Sequence, residues 1–382
     1  MSVTGRVADS STDPTHSRTL LRHEIPTPAL LIDLDAFEWN FAKMCGHLEA
    51  RRLSFRPHAK THKCSAIARR LLDADARGIC VAKLSEAEVF AAAGIRGLLV
   101  TTAIIGTSKI ARAAQLLQLA PDTLLSVDDP GNVREISTVA SSTGVVIPLA
   151  VDLYFGRTGI APGESACHLA GLIASLSHVR FAGLQAYDAS ASHTHPFEAR
   201  AARTRETMAD AVETRRMIER TGLPCPMVSC GSTGTFNIDA DLDGITELQP
   251  GSFLFMDVDY GRIGGHAGGT FDEFRHALTV VTTVVSRHGD AAIVDGGYKA
   301  FSTDRPFTPE PVNLGGVTST WAGDEHGRLD LSRAERSINV GDRVEFIPPH
   351  CDPTVNLYDQ FYALRGDRFE DVWAIAARGK SQ

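Results

Sequence analysis

The sequence predicts a (β/α)8 TIM barrel followed by a mostly antiparallel β-domain. Three observations carry the prediction. Eight short aliphatic or β-branched runs alternate with helix-like segments over residues 54–248. The GxGxxG turn of an open dinucleotide-binding sheet, the main rival fold, is missing after the first strand. From about residue 266 the texture becomes β-rich, without long helices between the runs.

The elements follow in order. A polar arm over residues 1–24 has no apolar signal-peptide core. An opening strand, residues 29–34, precedes a helix, and the stretch 27–34 is free to join the later β-domain. The eight barrel strands are read at 54–58, 78–82, 97–102, 123–127, 145–152, 179–187, 226–230 and 245–248. Helices are read at 65–72, 85–93, 108–117, 131–141, 165–175 and 198–221, several opening on a Ser or Thr suited to N-capping. The seventh helix is weak, because residues 231–243 are short and polar. β-Rich runs follow at 277–286, 291–294, 343–347 and 372–376. The division is therefore a barrel over 25–265 and a β-domain over 266–382, with no internal repeat.

Composition excludes several classes. A formal charge of −8 argues against a nucleic-acid partner, because phosphate backbones require a basic face. No run of 18 apolar residues offers a membrane span. Seven cysteines without a CxxC pair point to free thiols in a reducing compartment, the cytoplasm.

A barrel works at the C-terminal ends of its strands. There the chain places Lys60 after the first barrel strand, inside Arg56-Pro57-His58-Ala59-Lys60-Thr61-His62-Lys63. A lysine in that place suits a Schiff base with a carbonyl cofactor; an ordinary surface lysine is the plain alternative. Lys63 competes, but Lys60 directly continues the strand. Arg157 follows the fifth strand as a cation for the cofactor ring oxygen or as a simple loop residue. Tyr187 ends the sixth strand as a cofactor contact or a core tyrosine, with His193 and His195 in the loop beyond. After the seventh strand comes Gly231-Ser232-Thr233-Gly234-Thr235, and after the eighth Gly251-Ser252. Alone, each is a tight turn. Together they form the phosphate site that barrels place after strands seven and eight. Phosphate, amine and barrel combine to indicate pyridoxal 5′-phosphate (PLP).

A second cluster, His350-Cys351-Asp352, reads as a partial divalent-metal site or as a polar turn. If the segment is extended, His350 and Asp352 face one way and Cys351 the other. Residues 324–327, DEHG, are the natural pool of further donors. A carboxylate partner favours Mn or Mg, with Zn as the softer alternative.

RPHAKTHK, GLQAY, GSTGT, ELQPGSFLFMDVDYG, DEHG, HCDPTVNLYD and VWAIAARGK together resemble the D-threonine aldolase and D-serine dehydratase family. This is the alanine-racemase-like, fold type III group of PLP enzymes, and the resemblance runs from Thr27 to Lys380. It implies a homodimer and Lys60 as the cofactor-bearing amine. Arg157 and Tyr187 would line the ring. Ser232, Thr233, Gly234, Thr235, Gly251 and Ser252 would surround the phosphate, and His350 and Asp352 would hold the metal. His193 matches a histidine near that metal in the aldolases and is the candidate base, with a metal-bound hydroxide as the alternative. Dehydratase members read His-x-Cys and aldolase members His-x-Asp. Asp352 thus places the chain nearer the D-threonine and 3-hydroxy-D-aspartate aldolases. Asp188, Thr102-Ala103 and the GSTGT turn depart from the aldolase pattern around the pocket.

The implied reaction is PLP- and metal-dependent retro-aldol cleavage of a D-3-hydroxy amino acid to glycine and an aldehyde. β-Elimination, as in a D-serine or 3-hydroxy-D-aspartate dehydratase, is the rival on the same scaffold. Racemisation and a non-catalytic PLP carrier are more remote.

Overall fold

The computed structural model describes residues 21–382. The expected N-terminal arm lies outside the described residues up to position 20. Its last part is anchored: Leu21 bridges Arg368, and Arg22 pairs with Glu345.

The first strand, β1 (Ala29–Asp33), leads into helix α1 (Leu34–Glu49). Asp33 starts that helix by accepting from the Ala36 N–H at 3.1 Å. Eight parallel strands follow: β2 (Ser54–Phe55), β3 (Ile79–Val81), β4 (Leu98–Val100), β5 (Leu124–Val127), β6 (Ile147–Asp152), β7 (Val179–Ala186), β8 (Val228–Cys230) and β9 (Glu247–Leu248). Their order is β2-β9-β8-β7-β6-β5-β4-β3, and a parallel bridge between His58 and Cys80 joins the two ends. This is the predicted barrel. Every residue of β6 is buried, as expected of a parallel strand covered on both faces.

The outer helices are α2 (Ser65–Asp73), α3 (Leu84–Ala92), α4 (Thr107–Leu119), α5 (Pro130–Thr143), α6 (Glu164–Ser175), α7 (Phe197–Arg220) and the short α8 (Phe236–Asp239). On α4, Ile110, Ala113, Ala114 and Leu117 fall at helical spacing and are all buried. The expected Ser and Thr caps are corrected. Ser65 and Ser85 lie inside the first turns, and Cys64 and Lys83 occupy the cap positions. At α3 the capping is done from within, because the Glu86 carboxylate accepts from the Ala82 and Lys83 N–H groups at 2.8 and 3.0 Å. The seventh helix is four residues long, in keeping with its weak pattern.

After α9 (Val258–Gly261), the chain builds β10 (Leu278–His288), β11 (Ala291–Val294), β12 (Glu310–Pro311), β13 (Thr318–Trp321), β14 (Gly327–Asp330), β15 (Arg343–Ile347), β16 (Gln360–Arg365) and β17 (Arg368–Ala374), with α10 (Cys351–Val355) between β15 and β16. All their mutual pairings are antiparallel. The opening strand belongs to this sheet: β1 pairs antiparallel with β10 and parallel with β16.

One ion pair ties the closing seam of the barrel. Arg56 and Glu247, 3% and 1% exposed, meet at 2.8 Å. The Glu247 carboxylate also accepts from Ser229, which in turn accepts from Gln249 at the cavity floor.

Candidate active site

A cavity of about 270 Å³ opens at the C-terminal ends of the barrel strands. Lys60, Arg157, Tyr187, Ser232, Thr233, Gly251 and Ser252 all line it. His58, Thr101, Thr102, Gln185, Gln249 and Tyr260 are among the other wall residues.

Lys60 does not continue a strand directly, as the sequence led us to expect. β2 ends at Phe55, and Lys60 sits in a 3-10 turn, Ala59–Thr61. His58 caps that turn by accepting from the Lys60 N–H at 3.2 Å. The turn aims the amine into the cavity, where Nζ lies 3.1 Å from Asp352 Oδ2. The Asp352 carboxylate raises the Lys60 pKa, against the opposing effect of burial. Burial disfavours ionised Asp352 too, but the Lys60 ammonium and His350 outweigh it and hold the carboxyl well below its usual range. His58 is driven the other way: burial, reinforced by Lys60, keeps its imidazole neutral. Its Nε2 is 3.2 Å from Thr101 Oγ1.

Lys63 is accounted for elsewhere, since its amine pairs with buried Glu86. The same carboxylate meets Lys83 through the backbone N–H.

The two candidate phosphate segments meet. Thr233 Oγ1 accepts from the Phe253 N–H at 2.8 Å. Gly251 packs so closely that a Cβ there would come within 2.6 Å of Thr61 Oγ1 and 2.7 Å of the His58 carbonyl. Gly234 and Thr235 do not reach the cavity and stand behind it. Thr235 bonds Ser232 at 3.0 Å, and Gly234 packs on the Ser192 carbonyl. An amine facing two such segments fits PLP.

Arg157 stacks over the Tyr187 ring at 5.4 Å. Below them, Gln185 donates to the Thr101 carbonyl at 3.0 Å and to Asp152 at 3.2 Å. Burial pushes the Asp152 carboxyl up to about 6. Asp188 turns away from the cavity onto Ser190 and Arg203.

The metal candidates are close by, but not for the reason given by an extended chain. Residues 351–355 form α10, with His350 as its N-cap in extended conformation and Asp352 in the first turn. The change from extended to helical backbone at that junction replaces strand alternation. The DEHG donor pool is also corrected. Asp324 and Glu325 pair with Lys299 on the surface, in the turn between β13 and β14. The acid beside His350 is instead Asp304, whose Oδ2 is 2.7 Å from His350 Nδ1. Among the described residues, no group of three or more His, Cys, Asp or Glu is placed to hold a metal. Asp352 and the remaining nitrogen of His350 are thus two donors, and a cation there would keep water in its other positions.

His193 does not line the cavity. It ends a 3-10 turn and packs on Tyr260, which does, with ring centroids 4.9 Å apart. Its Nδ1 lies 3.1 Å from Asp259 Oδ2, the same oxygen that Arg305 approaches at 2.9 Å. Sequence reading missed Asp259, Asp304 and Arg305. The DVDYG motif was the one available signal, and it marks only the first of them.

Among the described residues, no helix is long and apolar enough to cross a membrane.

Comparison with known proteins agrees with this arrangement. The alanine racemase N-terminal domain family matches residues 32–259, and a putative serine dehydratase domain matches residues 277–364. The 3-hydroxy-D-aspartate aldolase of Paracoccus denitrificans (strain Pd 1222) is 35% identical over 94% of this chain and 93% of its own. The D-threonine aldolase of an Arthrobacter species is 36% identical over 94% of both chains. The crystal structure of D-threonine aldolase from Filomicrobium marinum superposes with a TM-score of 0.91 at 36% identity, covering 95% of this chain and 99% of that one. The chain belongs to the alanine-racemase-like family in which an N-terminal alanine racemase domain is followed by a serine dehydratase domain, alongside the D-threonine and 3-hydroxy-D-aspartate aldolases.

Proposed function

We propose that the chain is a carbon–carbon lyase that cleaves D-3-hydroxy amino acids of the D-threonine, D-phenylserine or 3-hydroxy-D-aspartate type to glycine and an aldehyde. One observation carries this reading beyond family likeness. The candidate cofactor amine, Lys60, lines the cavity and lies 3.1 Å from the candidate metal ligand, Asp352, just behind the wall. A substrate bound at a cofactor held by Lys60 would therefore be within reach of Asp352.

Lys60 would hold PLP, with Ser232, Thr233, Gly251 and Ser252 around its phosphate and Arg157 and Tyr187 beside its ring. Bound there, PLP supplies an electron sink for the carbanion left at Cα. His350 and Asp352 would hold a divalent cation, Mn or Mg rather than Zn, which lowers the pKa of a nearby hydroxyl. His193, backed by Asp259, stands behind Tyr260 outside the cavity wall, so it would take the proton from the substrate 3-hydroxyl through an intervening water. Lys60 would return a proton to Cα. The same reading includes a cytoplasmic location and a homodimer, and sedimentation of the purified protein tests the second.

The serine dehydratase domain matched at residues 277–364 favours β-elimination as the second reading. Product analysis separates the two. With D-threonine and D-phenylserine plus Mn, glycine and the matching aldehyde are expected, and exhaustive chelation abolishes turnover. Keto acid plus ammonia establishes the dehydratase instead. Full turnover after chelation removes the metal from the mechanism, and no turnover with any D-amino acid revives the carrier.

A further inference from the structure

Arg200, in the first turn of α7, has no exposed surface. Its guanidinium donates to four backbone carbonyls. Nε reaches Gly234 at 2.8 Å, Nη1 reaches Thr194 and Ile263 at 2.9 and 2.7 Å, and Nη2 reaches Gly264 at 2.6 Å. No carboxylate among the described residues is within ion-pair distance of it, and burial pulls its pKa down. The Phe197 and Phe271 rings, 5.2 and 5.8 Å away, are its other neighbours. Arg56, the other deeply buried arginine described above, meets a carboxylate. A buried cation with only neutral partners leaves positive potential on its surroundings. Its place at the N-terminus of a long helix adds to the positive end of the helix dipole.

Those surroundings are specific. Gly234 belongs to the turn whose Ser232 and Thr233 line the cavity. Thr194 directly follows His193. One guanidinium thus grips both the back of the anion-binding turn and the loop of the candidate base.

We infer that Arg200 is the built-in counter-charge for the cofactor phosphate, and that its fork fixes the phosphate turn to the His193 loop. It is a positioning residue, since it touches neither substrate nor cofactor. The inference rests on the PLP reading above and extends it to a residue outside the cavity.

The test compares PLP with pyridoxal, which lacks the phosphate, on full-length Arg200→Gln and Arg200→Lys. Binding is read from the visible absorbance band of the lysine-bound aldehyde. Arg200→Gln is expected to weaken PLP on the order of ten- to a hundredfold while pyridoxal shifts by less than about threefold. Arg200→Lys keeps the charge and most of the preference for PLP. Equal loss of both aldehydes, or unchanged PLP affinity, overturns the inference. A wild-type protein that gives no band with either aldehyde removes the PLP reading and this inference together. Should Arg200→Gln fail to fold, inorganic phosphate added to the wild-type apoprotein decides. A dose-dependent rise in Tm supports the counter-charge, and no rise overturns it.

Discussion

Lys60 and Lys63 stand three residues apart, and each ends on a carboxylate, yet their surroundings are opposite. Lys60 meets Asp352 at the cavity, with side chains 41% and 12% exposed. Lys63 meets Glu86 under α3, with side chains 11% and 2% exposed. The backbone makes the division. A 3-10 turn swings Lys60 into the barrel mouth, whereas Lys63 takes a left-handed φ of 49° and points the other way. Access, rather than the charge of the partner, separates an amine available to a carbonyl compound from one that serves as a structural tie.

The largest test of this contrast is substitution of each lysine. Lys60→Ala is expected to lower turnover about a thousandfold or more and to abolish the cofactor absorbance band. Lys63→Met is expected to keep the band, and also the turnover per folded molecule. It should cost about 3–5 kcal/mol in urea unfolding, because Glu86 is left buried without its cation. A folded Lys63→Met protein without the band would exchange the two roles.

A smaller effect probes the other side of Asp352. Asp304→Asn removes the carboxylate that orients His350 at 2.7 Å. Mn affinity, followed by EPR titration, is expected to fall about 10–100-fold while the cofactor band is unchanged. Unchanged Mn affinity would detach His350 from the cation site.

The smallest effect uses a buried carboxyl that no cation among the described residues meets. Burial pushes Asp239 up to about 7 from an ordinary value of 3.8. The folded protein therefore binds more protons than the unfolded chain between those values, and stability is lost as pH rises through that window. Asp239→Asn is expected to be more stable than wild type above pH 7 by about 1–2 kcal/mol, since the new amide also needs partners. Below about pH 4 the gain disappears, because Asp239 is then neutral in both states. A gain that does not vary with pH would place its cause elsewhere than ionisation.

Much of this was legible in the chain because barrel strands are buried on both faces and leave continuous aliphatic runs such as Ile147–Asp152. The observed strands are shorter than those runs, because apolar residues continue into the loops after hydrogen bonding stops. Val145 and Val146 precede β6, and Tyr187 follows β7. Caps were misread where a glutamate inside the helix does the work of the expected serine, as Glu86 does. Lys60 and Asp352 were legible through motifs, since each stands in a dense run of unusual residues. Asp304 and Arg200 were not. Each acts across the fold, on His350 and on carbonyls as distant as Gly264, and neither has a local pattern.

The double pairing of β1 has a consequence for biosynthesis. Residues 29–33 leave the ribosome before the barrel strands, but their two neighbours lie near residues 280 and 362. The strand must wait, unpartnered, while the whole barrel is made, since distant β pairing cannot begin before both segments exist. His350 and Asp352 lie between those late partners. These candidate cation ligands and the sheet therefore wait on the same late segment, and a nascent chain with a complete barrel still lacks both.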